Sequence, residues 1–263
     1  MKKPRDIQNA LHKTGKNIYE VIDSLLKAFV CGLEDYYTPD RSVIISQKNA
    51  CTGLMTLGTL FKESIFSRII YTSALIYDLT GFFVHFGAQR KRYKLIPRLS
   101  GKTLEIGCGT GRSSLRTNGA IHVDINSNFL KRGLRKSRLT TPICASAYHL
   151  PFKENVFDAV LVADAFHHLV NHRQLFRECR RTLKNNDARL YIFDPVQVKK
   201  GTNKLHSTAD GITWNFTLAG LYDRIAKLSK VHKFRILGSK IAKFKSIIHL
   251  SGWCDILFTL APK

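Results

Sequence analysis

The most informative segment of the chain reads Thr103-Leu104-Glu105-Ile106-Gly107-Cys108-Gly109-Thr110-Gly111-Arg112. Its apolar start predicts a strand, and its glycines predict a turn at which the backbone can approach a ligand without a Cβ in the way. The residues after the turn predict the first turn of a helix, which offers free N–H groups. A dinucleotide-binding turn would follow G-x-G-x-x-G, whereas Arg112 stands where the third glycine would be. The spacing therefore indicates a nucleoside ligand without a pyrophosphate.

From Lys102 onward, short apolar runs bounded by turn residues alternate with amphipathic stretches. This alternation predicts an α/β fold with a mostly parallel sheet covered on both faces. The loops after the strands should lie along one edge of the sheet, where ligands bind in open α/β folds. The predicted strands are 103–106, 120–123, 142–145, 157–163, 189–193, 233–237 and 255–260. The predicted helices between them are 128–138, 173–183 and 218–228.

The first part of the chain has a different pattern. Apolar residues recur at helical spacing over 18–33, and a second helical region is predicted over about 54–86. We therefore expect two parts: a helical N-terminal extension or cap over 1–95, and the α/β domain over 96–263. The acceptor pocket and its lid are expected in this helical part and in the segment from Gln197 to about Trp214. The predicted wall residues are Tyr71, Tyr77, Phe82, Phe83 and Trp214, with core packing as the alternative for each.

Four matches make the chain resemble the class I S-adenosylmethionine-dependent methyltransferases, in particular the group that methylates ubiquinone, sterols and other small molecules. The run Leu104 to Gly111 matches the first motif of that group. Asp124 ends the next strand, nineteen residues past Glu105. The run Ser146 to Phe152 matches a motif that usually reads Asp-Ala-x-x-Leu-Pro-Phe, and the segment 157–169 matches the fourth strand and its loop. The resemblance covers about residues 77–195 and implies a Rossmann-like seven-stranded sheet.

The resemblance also implies S-adenosyl-L-methionine as the cofactor, with no metal, and assigns roles to individual residues. Glu105 would hold the ammonium of the methionine part, and Asp124 would accept both ribose hydroxyls in charge-assisted hydrogen bonds. Ser146 stands where the group commonly has the Asp that binds the adenine amino group, and a neutral hydroxyl is a weaker partner. The implied cofactor-binding residues are Glu105, Gly107, Cys108, Gly109, Thr110, Gly111, Asp124, Ile125, Ser146, Ala147, Asp164 and Ala165.

His167 and His168 follow the fourth strand, where this fold presents groups to the methyl acceptor. Either could be a general base, because the pKa of histidine lies near working pH. The alternative is that one of them caps the next helix and the other packs in the core. The expected reaction is methyl transfer to a small, lipid-like or quinone-like acceptor.

The charge of the chain leaves two other functions open. Its 42 Lys and Arg against 19 Asp and Glu give a net charge of +23, and the residues from Gln197 onward carry +9 of it. This excess favours an anionic partner, either RNA or an anionic membrane surface. An RNA methyltransferase is therefore an alternative, although the chain has neither an Asn/Asp-Pro-Pro-aromatic run nor a Pro-Cys motif. A non-catalytic cofactor-binding protein is a further alternative, weakly supported by Ser146.

Cysteine spacing and hydropathy indicate the compartment. Six cysteines show no C-x-x-C pair, which favours reduced intracellular thiols over a disulfide framework or a zinc site. No uninterrupted apolar run follows the basic start, as an export signal would require. We expect a cytoplasmic protein, soluble or in peripheral contact with a membrane; the sequence does not predict the oligomeric state.

Overall fold

A computed structural model describes residues 73–85, 89–117, 119–185, 187–198, 216–243 and 252–263. The helices are α1 (Ala74–His85), α2 (Gln89–Tyr93), α3 (Ser127–Arg135), α4 (His172–Thr182) and α5 (Leu218–Val231). The strands are β1 (Thr103–Ile106), β2 (Ile121–Asp124), β3 (Thr141–Cys144), β4 (Ala159–Ala163), β5 (Arg189–Gln197), β6 (Phe234–Ala242) and β7 (Trp253–Pro262). Two 3-10 turns cover Ser114–Arg116 and Phe166–His168.

The strands form one seven-stranded sheet in the order β3-β2-β1-β4-β5-β7-β6. β1 to β5 are parallel to one another, and β7 runs antiparallel to both β5 and β6. The predicted mostly parallel sheet is therefore confirmed. The chain leaves β1 towards β2 on one side and returns to β4 on the other, so a crevice opens at the carboxyl end of β1, where ligands bind in such sheets.

The two faces of the sheet have separate cores. On the first face, the apolar side chains of β1, β4 and β5 pack against α4 and α5, through residues such as Phe176 and Ile225. On the second face, Leu161 and Phe193 pack against Tyr93, the last residue of α2, and against Ile96. Because both faces are covered, the central strand β4 is buried along its whole length.

The prediction of a helix after the glycines is wrong, because the described residues there form only the 3-10 turn Ser114–Arg116. The connection from β1 to β2 covers residues 107–120, and the glycine loop takes the first five of them. The hydroxyls of Ser113, Ser114 and Thr117 in this segment donate hydrogen bonds to the buried carboxylate of Glu105. The two late strands are confirmed but longer than predicted, and α3 ends three residues before its predicted end.

The predicted N-terminal extension is described only from residue 73. The apolar stripe over 18–33 and the side chains of Tyr71, Phe83 and Trp214 lie outside the described residues, as does most of the predicted lid. Within the described ranges, no helix has the length and apolar character needed to cross a bilayer. Cys108, Cys179 and Cys254 are buried free thiols, whereas Cys144 is disulfide-bonded, which differs from the expectation of reduced thiols throughout.

Candidate functional site

The glycine loop, residues 107–111, leaves β1 at the crevice. Gly107 and Gly109 have φ of +71° and +56°, in the left-handed region that glycine adopts without strain. The N–H groups of Gly107 and Cys108 donate to the Val123 carbonyl at 2.7 and 3.1 Å, which ties the loop to the end of β2. A Cβ on Gly107 would lie 2.5 Å from that of Ala165. The loops after β1 and β4 are therefore in direct contact.

Asp124 ends β2 beside this loop. Its carboxylate accepts hydrogen bonds from the backbone N–H groups of Gly109 and Asn126, each at 2.7 Å. Burial raises the pKa of the Asp124 carboxyl to about 6, against the effect of these hydrogen bonds. The cap of α3 is Asn126, whose side chain accepts from the N–H groups of Asn128 and Phe129. Asp124 is thus held at the crevice, still partly exposed, and does not itself cap the helix.

Glu105 lies beneath the glycine loop and is completely buried. Ser113 Oγ donates to Oε1, while Oε2 accepts from Ser114 Oγ at 2.6 Å and Thr117 Oγ1 at 3.2 Å, and His122 Nδ1 lies 2.9 Å from Oε2. Burial alone would raise the pKa of Glu105. The hydrogen bonds from His122 and the two serines have the larger effect, so the pKa lies below its ordinary value. Both carboxylate oxygens of Glu105 therefore have protein partners. The same hydroxyls explain why residues 113–117 do not form a helix, since they bind the carboxylate.

α1 covers the glycine loop from above. The Tyr77 ring stacks on Phe129, with ring centroids 4.5 Å apart, and Arg112 places its guanidinium carbon 3.9 Å from the centroid of the Tyr77 ring. The Tyr77 hydroxyl lies 3.4 Å from the position that a Cβ on Gly109 would occupy. Tyr77, predicted as a wall residue, therefore faces the loop.

Asp78, next on α1, fastens this helix to the loop and to α3. Its carboxylate accepts from Thr110 Oγ1 at 2.6 Å, Arg132 Nε at 2.5 Å and Arg138 Nη1 at 3.2 Å. Burial raises the pKa of Asp78, but these partners lower it to below its ordinary value. The hydroxyl of Thr110, a predicted cofactor residue, is therefore used within the protein.

Asp164 follows β4 with an uncommon positive φ of +51°. Arg92 donates to both of its oxygens, from Nη1 at 3.0 Å and Nη2 at 2.8 Å, and the Tyr93 hydroxyl donates at 2.6 Å. The buried Arg92 also binds Asp255 on β7. Asp164 thus joins α2 to the carboxyl end of the sheet, with about one fifth of its side chain exposed.

The two candidate histidines have different surroundings. His167 is buried, and its Nδ1 lies 2.9 Å from Oδ1 of Asp194, which is completely buried on β5. Burial raises the pKa of Asp194, although the adjacent His167 opposes this. His168 is half-buried and lies against His167, with ring centroids 3.9 Å apart. The cap of α4 is Asn171, so the alternative that one of these histidines caps that helix is wrong.

The segment after β3 contains the predicted adenine-side residues. Ser146 is buried, and its Oγ accepts from the N–H of Tyr148 at 3.1 Å. The Tyr148 hydroxyl accepts from the N–H groups of Val170 and Asn171 at 2.8 and 3.2 Å, so this segment is connected to the start of α4. Ala147 is partly exposed beside Ser146.

The structure brings the ends of β1, β2 and β4 together through the contacts of Gly107, Gly109, Asp124 and Ala165. Ile125 is partly exposed after β2, and Gly111 packs against Leu139 in the same region. The sequence analysis did not identify four charged residues around the crevice. Three of them, Asp78, Asp194 and Asp255, are acids inside apolar segments, which is a signal that the sequence contains. The missed residues are Asp78, Arg92, Asp194 and Asp255.

A glycine loop after β1, an acid at the end of β2 and this strand order define a Rossmann-like protein that binds a nucleoside-containing ligand. Residues 104–189 match the model of the methyltransferase domain. The chain is 30% identical over 181 residues to a demethylmenaquinone methyltransferase of Thermotoga maritima, covering 64% of this chain and 76% of that protein. Among solved structures, it is similar to a possible histamine N-methyltransferase of Thermotoga maritima, with a TM-score of 0.56, 19% identity, and coverage of 74% of this chain and 99% of that one. It is also similar to geranyl diphosphate C-methyltransferase of Streptomyces coelicolor in complex with S-adenosyl-L-homocysteine, with a TM-score of 0.53, 12% identity, and coverage of 67% and 81%.

The chain belongs to the class I S-adenosylmethionine-dependent methyltransferases, and S-adenosyl-L-methionine is its cofactor. The crevice fits this molecule. The partly exposed carboxylate of Asp124 suits a ribose, and the missing Cβ of Gly109 leaves space between the loop and Tyr77.

Proposed function

We propose that the protein methylates a small, apolar, lipid-like or quinone-like acceptor, with His167 as the general base. The acceptor class is supported by the similarity to the demethylmenaquinone methyltransferase of Thermotoga maritima and to a ubiquinone/menaquinone biosynthesis C-methyltransferase of Haemophilus ducreyi. The observation that carries the catalytic part is the 2.9 Å contact between His167 and Asp194 at the carboxyl ends of β4 and β5.

For the cofactor, we propose that Asp124 accepts from the ribose and that the backbone of Gly107 to Gly109 contacts the methionine part. Ser146 and Ala147 would lie beside the adenine, and Asp164 and Ala165 beside the sulfur end. Glu105 would act indirectly, by holding the loop through the hydroxyls of residues 113–117. The remaining proposed cofactor residues, which line or support the loop, are Cys108, Thr110, Gly111 and Ile125.

The cofactor supplies an electrophilic methyl group on a positively charged sulfur. The protein must align the acceptor with that methyl and take up the proton that the acceptor loses. With Asp194 ionised, Nδ1 of His167 carries the proton that Asp194 accepts, and Nε2 is then the basic nitrogen. An acceptor hydroxyl, or an acidic C–H, would transfer its proton to Nε2 as the new bond to the methyl carbon forms. The bond between that carbon and the sulfur would break at the same time, with S-adenosyl-L-homocysteine as the leaving group. His168 is the alternative base, since it is the more exposed of the two.

The test is a label-transfer assay with methyl-labelled S-adenosyl-L-methionine and demethylmenaquinone that is chemically reduced to its quinol, because only the electron-rich quinol can attack the methyl group. A second assay uses a cell extract that is then separated into lipid, small-molecule, RNA and protein fractions. We expect label in the quinone or in the lipid and small-molecule fractions. His167→Gln should lower kcat by about 10²–10⁴-fold and leave cofactor affinity unchanged, whereas the matched variant His168→Gln should lose only a few-fold.

Three results would contradict parts of this proposal. Label in RNA would replace the acceptor class. Loss of turnover in His168→Gln with activity retained in His167→Gln would move the base to His168. Cofactor binding without label in any fraction would support a non-catalytic protein.

A further inference from the structure

β6 is a terminal strand of the sheet and pairs with β7 alone among the described strands. It exposes three aliphatic side chains, Ile236, Leu237 and Ile241, with exposed fractions of 37%, 44% and 49%. Leu237 lies at a bulge between Ile236 and Gly238, which explains why two consecutive apolar residues are exposed. Val231, at the end of the adjacent α5, is exposed to 59%. Apolar exposure of this kind on a terminal strand is what soluble proteins usually avoid.

The register with β7 assigns these residues to faces. Ile236 and Ile241 lie opposite Leu260 and Ile256, whose side chains belong to the core beneath α5. Directly opposed residues of an antiparallel pair share a face. The exposed isoleucines are therefore on the α5 side of the sheet, beyond the end of the core. A hydrogen bond between Tyr222 of α5 and Ser239 of β6 joins the two elements there.

Basic residues lie beside these aliphatic residues along β6 and along α5. Arg235 and Lys240 lie opposite Ala261 and Leu257, on the other face of β6, and both are exposed. Residues 218–243 contain seven basic side chains and one acidic one, Asp223, which pairs with Lys227 at 2.8 Å. The seven are Arg224, Lys227, Lys230, Lys233, Arg235, Lys240 and Lys243.

We propose that β6 and the side of α5 next to it, from Tyr222 to Val231, dock the protein on an anionic lipid bilayer; these residues are called the β6 surface. Aliphatic side chains at a rim of lysine and arginine match the two zones of such a membrane, because the apolar groups enter the acyl boundary while the cations meet the phosphates.

RNA is the less suitable partner. Aliphatic side chains make no favourable contact with the phosphates of RNA. Single-stranded RNA is bound mainly by aromatic side chains that stack on its bases, and the exposed aromatic residue of this surface is Tyr222. The proposal does not depend on the identity of the acceptor.

The test is co-sedimentation of the full chain with vesicles of phosphatidylcholine alone or mixed with phosphatidylglycerol. We expect binding to the mixed vesicles, weakened by salt. The double variants Arg235→Glu/Lys240→Glu and Leu237→Ser/Ile241→Ser should each lower the bound fraction at least about tenfold. Matched controls lie at the end of α3, next to the opposite end of the sheet. They are Arg135→Glu/Lys136→Glu for charge and Leu134→Ser for apolar exposure, all at exposed positions. The controls should bind vesicles like the parent protein.

Titration with S-adenosyl-L-methionine verifies that each variant is folded, so a vesicle result is separable from a failure of the methyltransferase site. Equal sedimentation of parent and β6 variants would overturn the proposal. So would RNA binding that is lost in the charge variant but retained in the apolar variant. A dimer that dissociates in Leu237→Ser/Ile241→Ser would identify the surface as a contact between copies of the chain, and would also overturn it.

Discussion

Arg92 and Asp255 lie 163 residues apart in the chain, yet Nε and Nη2 of the arginine donate to the two carboxylate oxygens at 2.8 and 2.6 Å. The same guanidinium binds Asp164 with both Nη atoms, so one buried cation holds two carboxylates. This contact joins α2 to β7 and to the loop after β4.

Arg92→Ala is expected to lower the free energy of unfolding by about 3–5 kcal/mol, because it leaves two carboxylates without their buried cation. Arg92→Lys should rescue only part of this loss, since an ammonium cannot form two bidentate contacts. Urea unfolding measures both, with the exposed Arg98→Ala as the control. Equal stability of Arg92→Ala and Arg98→Ala would show that this network contributes nothing.

Affinity for S-adenosyl-L-methionine is expected to fall as the pH is lowered through about 6, the raised pKa of Asp124 in the ligand-free protein. A protonated carboxyl is a poorer acceptor for ribose hydroxyls, and binding to the ionised form shifts the equilibrium towards proton loss. Asp124→Asn should weaken binding by about 10–100-fold and remove this pH dependence. Calorimetric titration between pH 5 and 8 provides the comparison, with the exposed Asp223→Asn as control. An unchanged affinity in Asp124→Asn would contradict the ribose assignment.

The free energy of unfolding should depend on pH through Glu105. Its pKa is lowered on folding, so its contribution is fully present above its ordinary value of 4.5 and is lost as the pH falls through the lower folded-state value. Unfolding free energies measured from pH 6 to pH 3 should therefore fall less steeply in Glu105→Gln than in the parent protein. The exposed Glu154→Gln serves as the matched change and should keep the parent slope.

Alanine substitutions at Gly107 and Gly119 separate two costs of an added Cβ: strain of a backbone with positive φ, and steric overlap with a neighbouring atom. Their φ values are +71° and +76°, but a Cβ on Gly107 would lie 2.5 Å from that of Ala165, whereas none of the surrounding atoms lies within 4 Å at Gly119. Gly119→Ala should cost about 1–2 kcal/mol of stability from the backbone alone. Gly107→Ala should cost more, and should also weaken cofactor binding by displacing the loop. Thermal unfolding measures both variants, and an equal loss of stability in the two would exclude a steric overlap between residue 107 and Ala165.

The local sequence predicted the central sheet well because buried parallel strands are continuous apolar runs. Ala159–Ala163 is such a run, and it follows a turn and precedes an amphipathic helix. The place of Asp124 at the edge of the crevice followed from its spacing to the glycines. These features depend on neighbours within about twenty residues, which is the range over which sequence patterns are informative.

The rest depended on contacts between distant segments. Neither the partners of Arg92 nor that of His167 can be predicted from local patterns, because they lie 27 to 163 residues away in the chain. The helix expected after the glycines failed for a related reason. Ser113 and Ser114 are tolerated in helices, and only the buried carboxylate of Glu105 beneath them shows why their hydroxyls turn inwards.

The network around Glu105 also has a consequence for the thermodynamics of cofactor binding. A flexible loop of glycines loses conformational entropy when a ligand immobilises it, and that loss reduces affinity. Here the loop is anchored from below by side chains of the same domain, so most of its ordering takes place when the chain folds. The binding entropy should then reflect mainly the cofactor and the water that it displaces.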